Sequence, residues 1–248
     1  MTIEVKIFLY LILATITALT IYNFIHTGKL IKIGRAQTAT TLPFERRLPE
    51  AELKFLVIGD SSAVGVGAEP QTGSIAGRLA TDFPTADVKN LAISGSKVKD
   101  AIAQLESLPT EARYDLIVIQ IGGNDIVRMT ANADLERDFP TVLKLAKQHS
   151  DHVVQLTSGN VGTSKLLPFG TRWWFSIKTK QVRKIFMGIN AEQGTHYIDL
   201  YRRLAVDPYA KDPKKYYSPD FFHPSADGYG EWYSFVKPEV VKILQIRN

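Results

Sequence analysis

The chain of 248 residues contains no cysteine, and its 17 glycines and 12 prolines are ordinary numbers. Without cysteine there are no disulfides, no thiolate metal sites and no cysteine nucleophile. The compartment stays open, because many extracytoplasmic proteins also lack cysteine. The modest glycine and proline content excludes collagen-like and low-complexity chains. The 45% of hydrophobic and 22% of charged residues are instead typical of a globular domain with a sizeable core.

A concentrated excess of basic charge is also lacking. The formal net charge is +5, but six basic and three acidic residues fall within the first 50 positions, so the rest of the chain is nearly neutral. Nucleic-acid-binding domains usually cluster their Lys and Arg residues on one face. No nucleic-acid partner is therefore expected.

Charged residues are absent from residues 7–28. Within this stretch the residues from Ile7 to Ile25 are largely apolar, and as a helix they would span roughly 28 Å, close to the hydrocarbon thickness of a bilayer. Tyr10 and Tyr22 lie toward the two ends, where interfacial aromatic residues often occur. A cleaved signal peptide is the alternative, but the stretch is long for one and no A-x-A cleavage site follows it. The sequence predicts that residues 1–28 form an uncleaved, single-pass membrane anchor.

The charges that flank this segment bear on its orientation. Lys6 precedes the segment, whereas Lys29, Lys32 and Arg35 follow it. By the positive-inside rule this bias would place the C-terminal body in the cytoplasm. The difference amounts to only two basic residues, so the opposite orientation stays open.

The rest of the chain divides into a tether and a domain. Residues 29–52 are predicted to be the tether, because residues 36–52 are polar, carry two prolines and lack a period. In the domain, residues 53–248, short apolar runs alternate with helical patterns. The predicted strands are 54–59, 86–93, 114–122, 152–157 and 195–200, and the predicted helices are 71–82, 97–107, 134–149, 175–193 and 225–245. This alternation predicts an α/β fold with a parallel sheet covered by helices on both faces.

Polar or glycine-rich clusters follow the apolar runs. They occupy residues 59–62 (GDSS), 94–96 (SGS), 122–125 (GGND) and 220–224 (DFFHP). Each cluster alone is typical of a turn. All except the last, however, fall at the carboxyl edge of the predicted sheet, where ligands bind in such folds. Their joint placement predicts an active site.

The residue types in these clusters suit acyl transfer to a serine. Ser61 is a weak nucleophile that needs a base, and His223 can act as that base. Asp220, three residues before His223, can reach the second ring nitrogen and fix its tautomer. The developing oxyanion needs hydrogen-bond donors, which the backbone N–H groups of Ser61 and Gly95 and the side-chain amide of Asn124 can supply.

The four clusters, in this order and spacing, resemble the motif blocks of the SGNH hydrolases, also called GDSL-type esterases and lipases. The similar segments are 59–61, 90–95, 123–125 and 220–223, within a resemblance that covers about residues 55–232. The resemblance implies a three-layer α/β/α sandwich around a parallel sheet of about five strands, with no metal and no cofactor. One departure is that Ser62 and Ala63 stand where many members have Leu or a similar apolar residue.

The resemblance also assigns roles to residues. It implies a catalytic triad and an oxyanion hole, formed by Ser61, Asp220 and His223 and by Ser61, Gly95 and Asn124. Asp60 and Asp125 are expected to support the loops through hydrogen bonds rather than to act as acids or bases. Anchored or secreted members commonly work outside the cytoplasm, which favours an extracytoplasmic, periplasmic body despite the flanking charges.

Three functions are compatible with these residues. The leading hypothesis is a membrane-anchored serine esterase that acts on a small ester, a lipid or an acylated glycan. An acyltransferase with the same triad, and a non-catalytic binding module with the same fold, are the alternatives. Retention of Ser61, Asn124, Asp220 and His223 together argues against the binding module. The sequence predicts no oligomeric state.

Three consecutive aromatic residues, Trp173, Trp174 and Phe175, follow Arg172 and precede a basic stretch. The simpler interpretation is the start of an ordinary helix, with the aromatic side chains in the core and a solvated basic face. The alternative is that these side chains contact a bilayer interface or line an acyl pocket.

Overall fold

Residues 2–245, which the computed structural model describes, form five β-strands and ten α-helices. The strands are β1 (Leu53–Gly59), β2 (Ala86–Asn90), β3 (Leu116–Gln120), β4 (Val153–Leu156) and β5 (His196–Ile198). The helices are α1 (Ile3–Thr40), α2 (Ser61–Val64), α3 (Ile75–Asp82), α4 (Val98–Glu106), α5 (Gly123–Val127), α6 (Asn132–His149), α7 (Arg172–Gln193), α8 (Pro208–Lys211), α9 (Pro213–Tyr216) and α10 (Ala226–Gln245). Short 3₁₀ turns occur at Gln71–Gly73 and Val161–Thr163.

The five strands form one parallel sheet in the order β2-β1-β3-β4-β5. The order reverses between β1 and β3, which both pair with their neighbours in parallel. At such a switch point the loops beyond the carboxyl ends diverge to opposite faces and leave a crevice between them. The loops that follow β1 and β3 therefore border the expected ligand site.

Helices cover both faces of the sheet, as predicted from the alternating pattern. Successive residues of β1 point to opposite faces, so Phe55 and Val57 join one core cluster and Leu56 and Ile58 the other. The first cluster includes the apolar faces of α3 and α10, and the second includes those of α4, α6 and α7. The predicted three-layer α/β/α architecture with five parallel strands is confirmed.

Helix α1 has two halves of different character. Every described residue from Thr2 to Tyr22 is exposed, whereas half-buried or buried residues recur from Asn23 onward. These residues are Asn23, His26, Thr27, Leu30, Ile33, Gly34, Gln37 and Thr38. Their spacing of three and four marks one helical face, which packs on the domain. The exposed half is long and apolar enough to cross a bilayer, a property that anchors share with signal sequences.

The structure differs here from the expectation that residues 29–52 are a tether. Residues 29–40 continue α1, because no glycine pair or proline interrupts the helix before Pro43. Further on, Arg46 pairs with Val88 of the edge strand β2 in an antiparallel bridge. The Arg46 guanidinium also donates to the carbonyl oxygens of Ala80, Phe83 and Ala86. This connection is thus bound along the domain and leaves little freedom between α1 and the sheet.

Candidate active site

The turn after β1 presents Ser61 at the first position of a helix. Gly59 has a positive φ of 142°, and a Cβ there would overlap the carbonyl oxygen of Gln120, so only glycine fits. Asp60 caps α2, since its carboxylate accepts hydrogen bonds from the Ser62 backbone N–H at 2.9 Å and from the Ser62 hydroxyl at 2.7 Å. Ser61 follows at once and lines a cavity.

The segment before α10 brings His223 to Ser61. The Nε2 atom of His223 lies 2.8 Å from the Oγ atom of Ser61. On the other side of the ring, Nδ1 lies 2.5 Å from Oδ2 of Asp220. In the sequence, His223 is 162 positions from Ser61 and three positions from Asp220. The structure therefore brings together the three side chains of the predicted triad in one hydrogen-bonded chain.

Asp220 is completely buried and surrounded by donors. Its Oδ1 accepts hydrogen bonds from the Ser218 hydroxyl at 2.8 Å and from the backbone N–H groups of Phe222 and His223 at 2.8 and 2.9 Å. Burial by itself would raise the pKa of this carboxyl, but the hydrogen bond and charge of the His223 ring, with the backbone donors, hold the pKa below its ordinary value. The carboxylate is therefore ionised while buried, as an orienting acceptor for an imidazole must be.

The packed half of α1 covers this carboxylate, which sequence reasoning missed. A Cβ at Gly34 would lie 2.9 Å from Oδ2 of Asp220, so the helix backbone approaches the carboxylate closely. One turn later, the Oε1 atom of Gln37 lies 3.3 Å from the hydroxyl of Ser218. These contacts join residues more than 180 positions apart, and nothing in the local pattern of α1 indicates them.

Of the residues that carry the predicted oxyanion donors, Ser61 and Asn124 line the cavity and Gly95 does not. Asn124, at the start of α5, lines the cavity beside Ser61, and its Nδ2 donates one hydrogen bond to the Ser96 carbonyl at 3.1 Å. The second N–H of this amide stays available. Gly95 has a positive φ of 88° in the adjacent loop, but it is not among the residues that line the cavity. Within the described chain, neither the Gly95 nor the Ser61 backbone N–H has a protein acceptor.

Two buried carboxylates and one buried amide hold these loops. Asp125 accepts the Val98 backbone N–H at 2.9 Å and so joins the loop after β3 to α4, while Asp60 caps α2 as described. Burial is the main cause that raises the pKa of both carboxyls. Gln104, which sequence reasoning did not single out, bonds both the N–H and the C=O of Gly59 and also the Ser96 hydroxyl. Its position on a helix face gave no signal of this role.

The cavity beside Ser61 contains about 660 Å³ of space, including its open mouth. Part of its wall is apolar or aromatic, formed by Val161, Leu200, Tyr209, Tyr217, Phe222 and Trp232. Arg202, Asp207 and Glu231 add charged groups to the same wall, and burial raises the pKa of Asp207 to about 6. Among residues 2–245, no three His, Asp or Glu side chains are grouped as around a metal ion.

The three consecutive aromatic residues do not behave as one unit. Phe175 packs against the core, as the simpler interpretation predicts. Trp173 and Trp174 are instead 57% and 55% exposed, which contradicts that interpretation for both of them. Neither tryptophan lines the cavity beside Ser61.

Comparison with known proteins agrees with this fold and geometry. Residues 57–230 match the sequence profile of the GDSL-like lipase/acylhydrolase family. The chain is 33% identical over 165 residues to the esterase TesA of Pseudomonas aeruginosa, an alignment that covers 62% of this chain and 82% of that protein. The chain therefore belongs to the GDSL-like lipase/acylhydrolase family, the SGNH class of ester hydrolases that its motifs resemble.

Solved structures share the fold. A crystal structure of TesA superposes with a TM-score of 0.60 at 21% identity, covering 77% of this chain and 99% of that one. A lipolytic G-D-S-L protein of Veillonella parvula gives 0.58 at 16% identity, covering 72% and 93%. A variant of Axe2, an acetyl xylan esterase of Geobacillus stearothermophilus, gives 0.56 at 19% identity, covering 78% and 95%.

Proposed function

We propose that this protein hydrolyses carboxylic esters through Ser61 as nucleophile, His223 as general base and Asp220 as the group that orients the imidazole. The observation that carries this proposal is the continuous hydrogen-bonded chain from Ser61 Oγ through the His223 ring to Asp220. Ser61 and His223 also line the cavity described above. A serine beside a base that is itself held by a carboxylate is the arrangement that activates a hydroxyl for attack.

In the acylation step, Ser61 Oγ attacks the carbonyl carbon of the ester while its proton moves to His223 Nε2. The resulting tetrahedral intermediate collapses when the bond to the alkoxy oxygen breaks and His223 returns the proton to that oxygen. Asp220 accepts a hydrogen bond from the Nδ1–H throughout, so that before attack the ring carries its proton on Nδ1, on the side away from Ser61. The alcohol leaves and the acyl group stays esterified to Ser61.

In the deacylation step, water takes the place of the alcohol. His223 removes a proton from water, the hydroxide attacks the acyl carbonyl, and Ser61 leaves with the proton that His223 returns. The free acid and the unmodified enzyme result. If an alcohol rather than water performed this second attack, the same groups would catalyse acyl transfer.

Negative charge that develops on the carbonyl oxygen requires donors that are already in place. The Asn124 amide has one N–H that is not used by Ser96, and the Ser61 and Gly95 backbone N–H groups have no protein acceptor in the described chain. These three donors are the proposed oxyanion hole. The bond from Asn124 to Ser96 fixes the amide orientation before substrate binds, because it uses the other N–H.

The cavity wall supports an apolar group on the substrate. The aromatic and aliphatic side chains named above would remove an acyl or alkyl group from water, which is favourable in proportion to the area buried. TesA of Pseudomonas aeruginosa is named an esterase and Axe2 an acetyl xylan esterase, so relatives act on esters of different kinds. We infer an ester substrate with an apolar portion.

We further propose that α1 is retained as a single-pass anchor with the domain on the extracytoplasmic side. The contact of Asn23 with the domain supports retention, because cleavage just after the apolar stretch would remove the side chain that accepts the Phe169 backbone N–H. Protease added to intact spheroplasts should digest the domain. Protection in spheroplasts with digestion after lysis would place the domain in the cytoplasm.

The catalytic proposal is tested by a pair of adjacent serines in the full-length protein. Ser61→Ala should abolish hydrolysis of a soluble ester, since the alanine cannot form the acyl intermediate. Ser62→Ala is the matched control, because the Ser62 hydroxyl bonds Asp60 rather than His223. Near wild-type turnover by a folded Ser61→Ala variant would overturn the assignment.

A further inference from the structure

The loop before α7 reaches the anchor at the edge of its apolar part. The backbone N–H of Phe169 donates to Oδ1 of Asn23 at 3.0 Å. Asn23 lies only two residues before Ile25, the end of the apolar stretch, which is about 3 Å along the helix axis. A part of the catalytic domain therefore lies level with side chains that the proposed bilayer would cover.

The side chains beside this contact are apolar and open to the surroundings. On α1, Phe24 and Ile25 are 82% and 63% exposed, and on the loop Phe169 is 74% exposed. A bilayer that solvates Phe24 and Ile25 would also meet Phe169, because the hydrogen bond fixes the loop at that height. In water the three side chains would add exposed apolar surface, which soluble monomers keep small.

Two exposed tryptophans follow this loop in the sequence. Trp173 and Trp174, at the first turn of α7, are more than half exposed and lie edge to face with ring centroids 5.5 Å apart. Tryptophan prefers the layer between hydrocarbon and water, since its ring is apolar and its N–H is polar. Such exposure is unusual for a tryptophan in a core, but it is usual for a tryptophan at a membrane interface.

The charge of the surrounding segment fits a membrane surface. Residues 152–191 contain six basic residues and no acidic residue. Within this segment Lys165, Arg172, Lys180 and Lys184 are not fully buried. Basic groups next to an apolar surface attract anionic lipid head groups.

We propose that Phe169, Trp173 and Trp174 form a second membrane-contacting surface, which enters the interfacial layer of the same bilayer that α1 crosses. This inference rests on the proposed retention of α1 as an anchor. The contact would fix the orientation of the domain relative to the bilayer, because α1 and the loop give two separate points of attachment. The loop also follows Thr163 and Ser164 of the cavity wall directly, so the attachment lies close in sequence to the substrate site.

The three tryptophans of the chain allow a direct test with an internal control. Trp232 is 6% exposed and lies in the core, whereas the other two tryptophans, Trp173 and Trp174, are more than half exposed. The full-length protein is reconstituted in vesicles of phosphatidylcholine and phosphatidylglycerol, with or without bromine on the acyl chains near the head group. Bromine quenches the fluorescence of tryptophans that touch the lipid.

The Trp232→Phe variant should lose most of its fluorescence in the brominated vesicles, and the Trp173→Phe/Trp174→Phe variant should keep its fluorescence. If Trp232→Phe does not fold, the difference between wild type and the double variant gives the same quantity. Flotation of the vesicles tests the anchor separately, and hydrolysis of a soluble ester by the wild type tests the catalytic proposal. Protein that floats with the vesicles but shows no quenching of Trp173 and Trp174 would overturn this inference alone. Protein that does not float would overturn the anchor and this inference together.

Discussion

Asp220, behind the His223 ring, and Asp207, in the cavity wall, are both almost inaccessible to solvent, yet their pKa values are shifted in opposite directions. The pKa of Asp220 is below its ordinary value, whereas burial raises that of Asp207 to about 6. Asp220 accepts from a hydroxyl, two backbone N–H groups and an imidazole. Asp207 accepts only from backbone N–H groups at the start of α8, with a weaker attraction to Arg202.

Hydrogen-bond donors, rather than accessibility, therefore decide which of these two buried carboxyls stays negatively charged. A carboxylate that must orient a catalytic imidazole needs to stay ionised, and a dense set of donors achieves this. A carboxyl that only caps a helix needs no such set. In many catalytic pairs, the two carboxyl groups likewise have different pKa values because their surroundings differ.

Removing the charge at Asp220 should produce the largest effect. Asp220→Asn keeps the size of the side chain but no longer requires the His223 proton to sit on Nδ1, so the wrong tautomer faces Ser61. We expect kcat to fall by on the order of 10³–10⁴. Steady-state kinetics with a soluble ester would measure this, and circular dichroism would check the fold. A folded Asp220→Asn variant with wild-type kcat would show that the carboxylate is not needed.

The next effect concerns negative charge on the substrate rather than on the protein. Asn124→Ala removes the side-chain donor proposed for the oxyanion. The hydrogen bond from this donor is stronger in the transition state than in the ground state. We expect kcat to fall by about 10²–10³ with a smaller change in KM. If KM rises and kcat does not change, Asn124 contributes only to substrate binding.

A smaller effect is expected when the packing of Asp220 changes but its donors do not. Gly34→Ala places a methyl group within 2.9 Å of Oδ2, so either α1 or the carboxylate must shift. Misplacement of a catalytic group by about 1 Å can cost up to about 10² in rate, and the shift here is smaller, so we expect a loss of roughly 10-fold in kcat. Gly28→Ala is the matched control, because the same change in the same helix meets no atom within 4 Å. Equal kinetics of both variants would show that α1 does not position Asp220.

The smallest effect is expected from substitution of Asp207, and the quantity that changes is the stability of the fold. A raised pKa in the folded state means that this carboxyl stabilises the fold while protonated, and that this contribution is lost as pH rises through about 6. Asp207→Asn removes the titration and keeps an oxygen that can accept from the Tyr209 N–H. We expect the stability of the variant, relative to wild type, to increase between about pH 4 and pH 7.

Thermal unfolding of both proteins across this pH range would measure the difference. Asp220 has the opposite shift and loses its stabilising contribution as pH falls below its ordinary pKa, but it is present in both proteins and cancels. A difference in melting temperature that does not depend on pH would mean that Asp207 titrates normally.

Much of the fold follows from local patterns in the sequence. The five strands and the helices between them were predictable, because buried parallel strands are short apolar runs and the helices show one apolar face. Four of the five predicted strands extended one to three residues too far, as for residues 114–122 where β3 is Leu116–Gln120. Leu91 and Ile121 directly follow β2 and β3, so the apolar pattern continues past the paired residues and does not mark where these strands end.

Parts of the site depend on contacts that local patterns do not contain. The pairing of Asp220 with His223 is visible because the two residues are three positions apart. The approach of Gly34 to Asp220 joins the first helix to the loop before the last helix, and nothing in the sequence around Gly34 indicates it. For the same reason the sequence could not show that Trp173 and Trp174 face outward while Phe175 faces the core.

The central claim is that Ser61 forms a covalent bond with the acyl group, and a fluorophosphonate ester tests it most directly. This reagent phosphonylates an activated serine and releases fluoride, so intact-mass spectrometry counts the bonds formed and peptide mapping locates them. We predict one adduct per chain, located on Ser61, formed normally by Ser62→Ala and absent from Ser61→Ala. An adduct on another residue, or labelling of folded Ser61→Ala at the wild-type rate, would contradict the mechanism proposed for this enzyme.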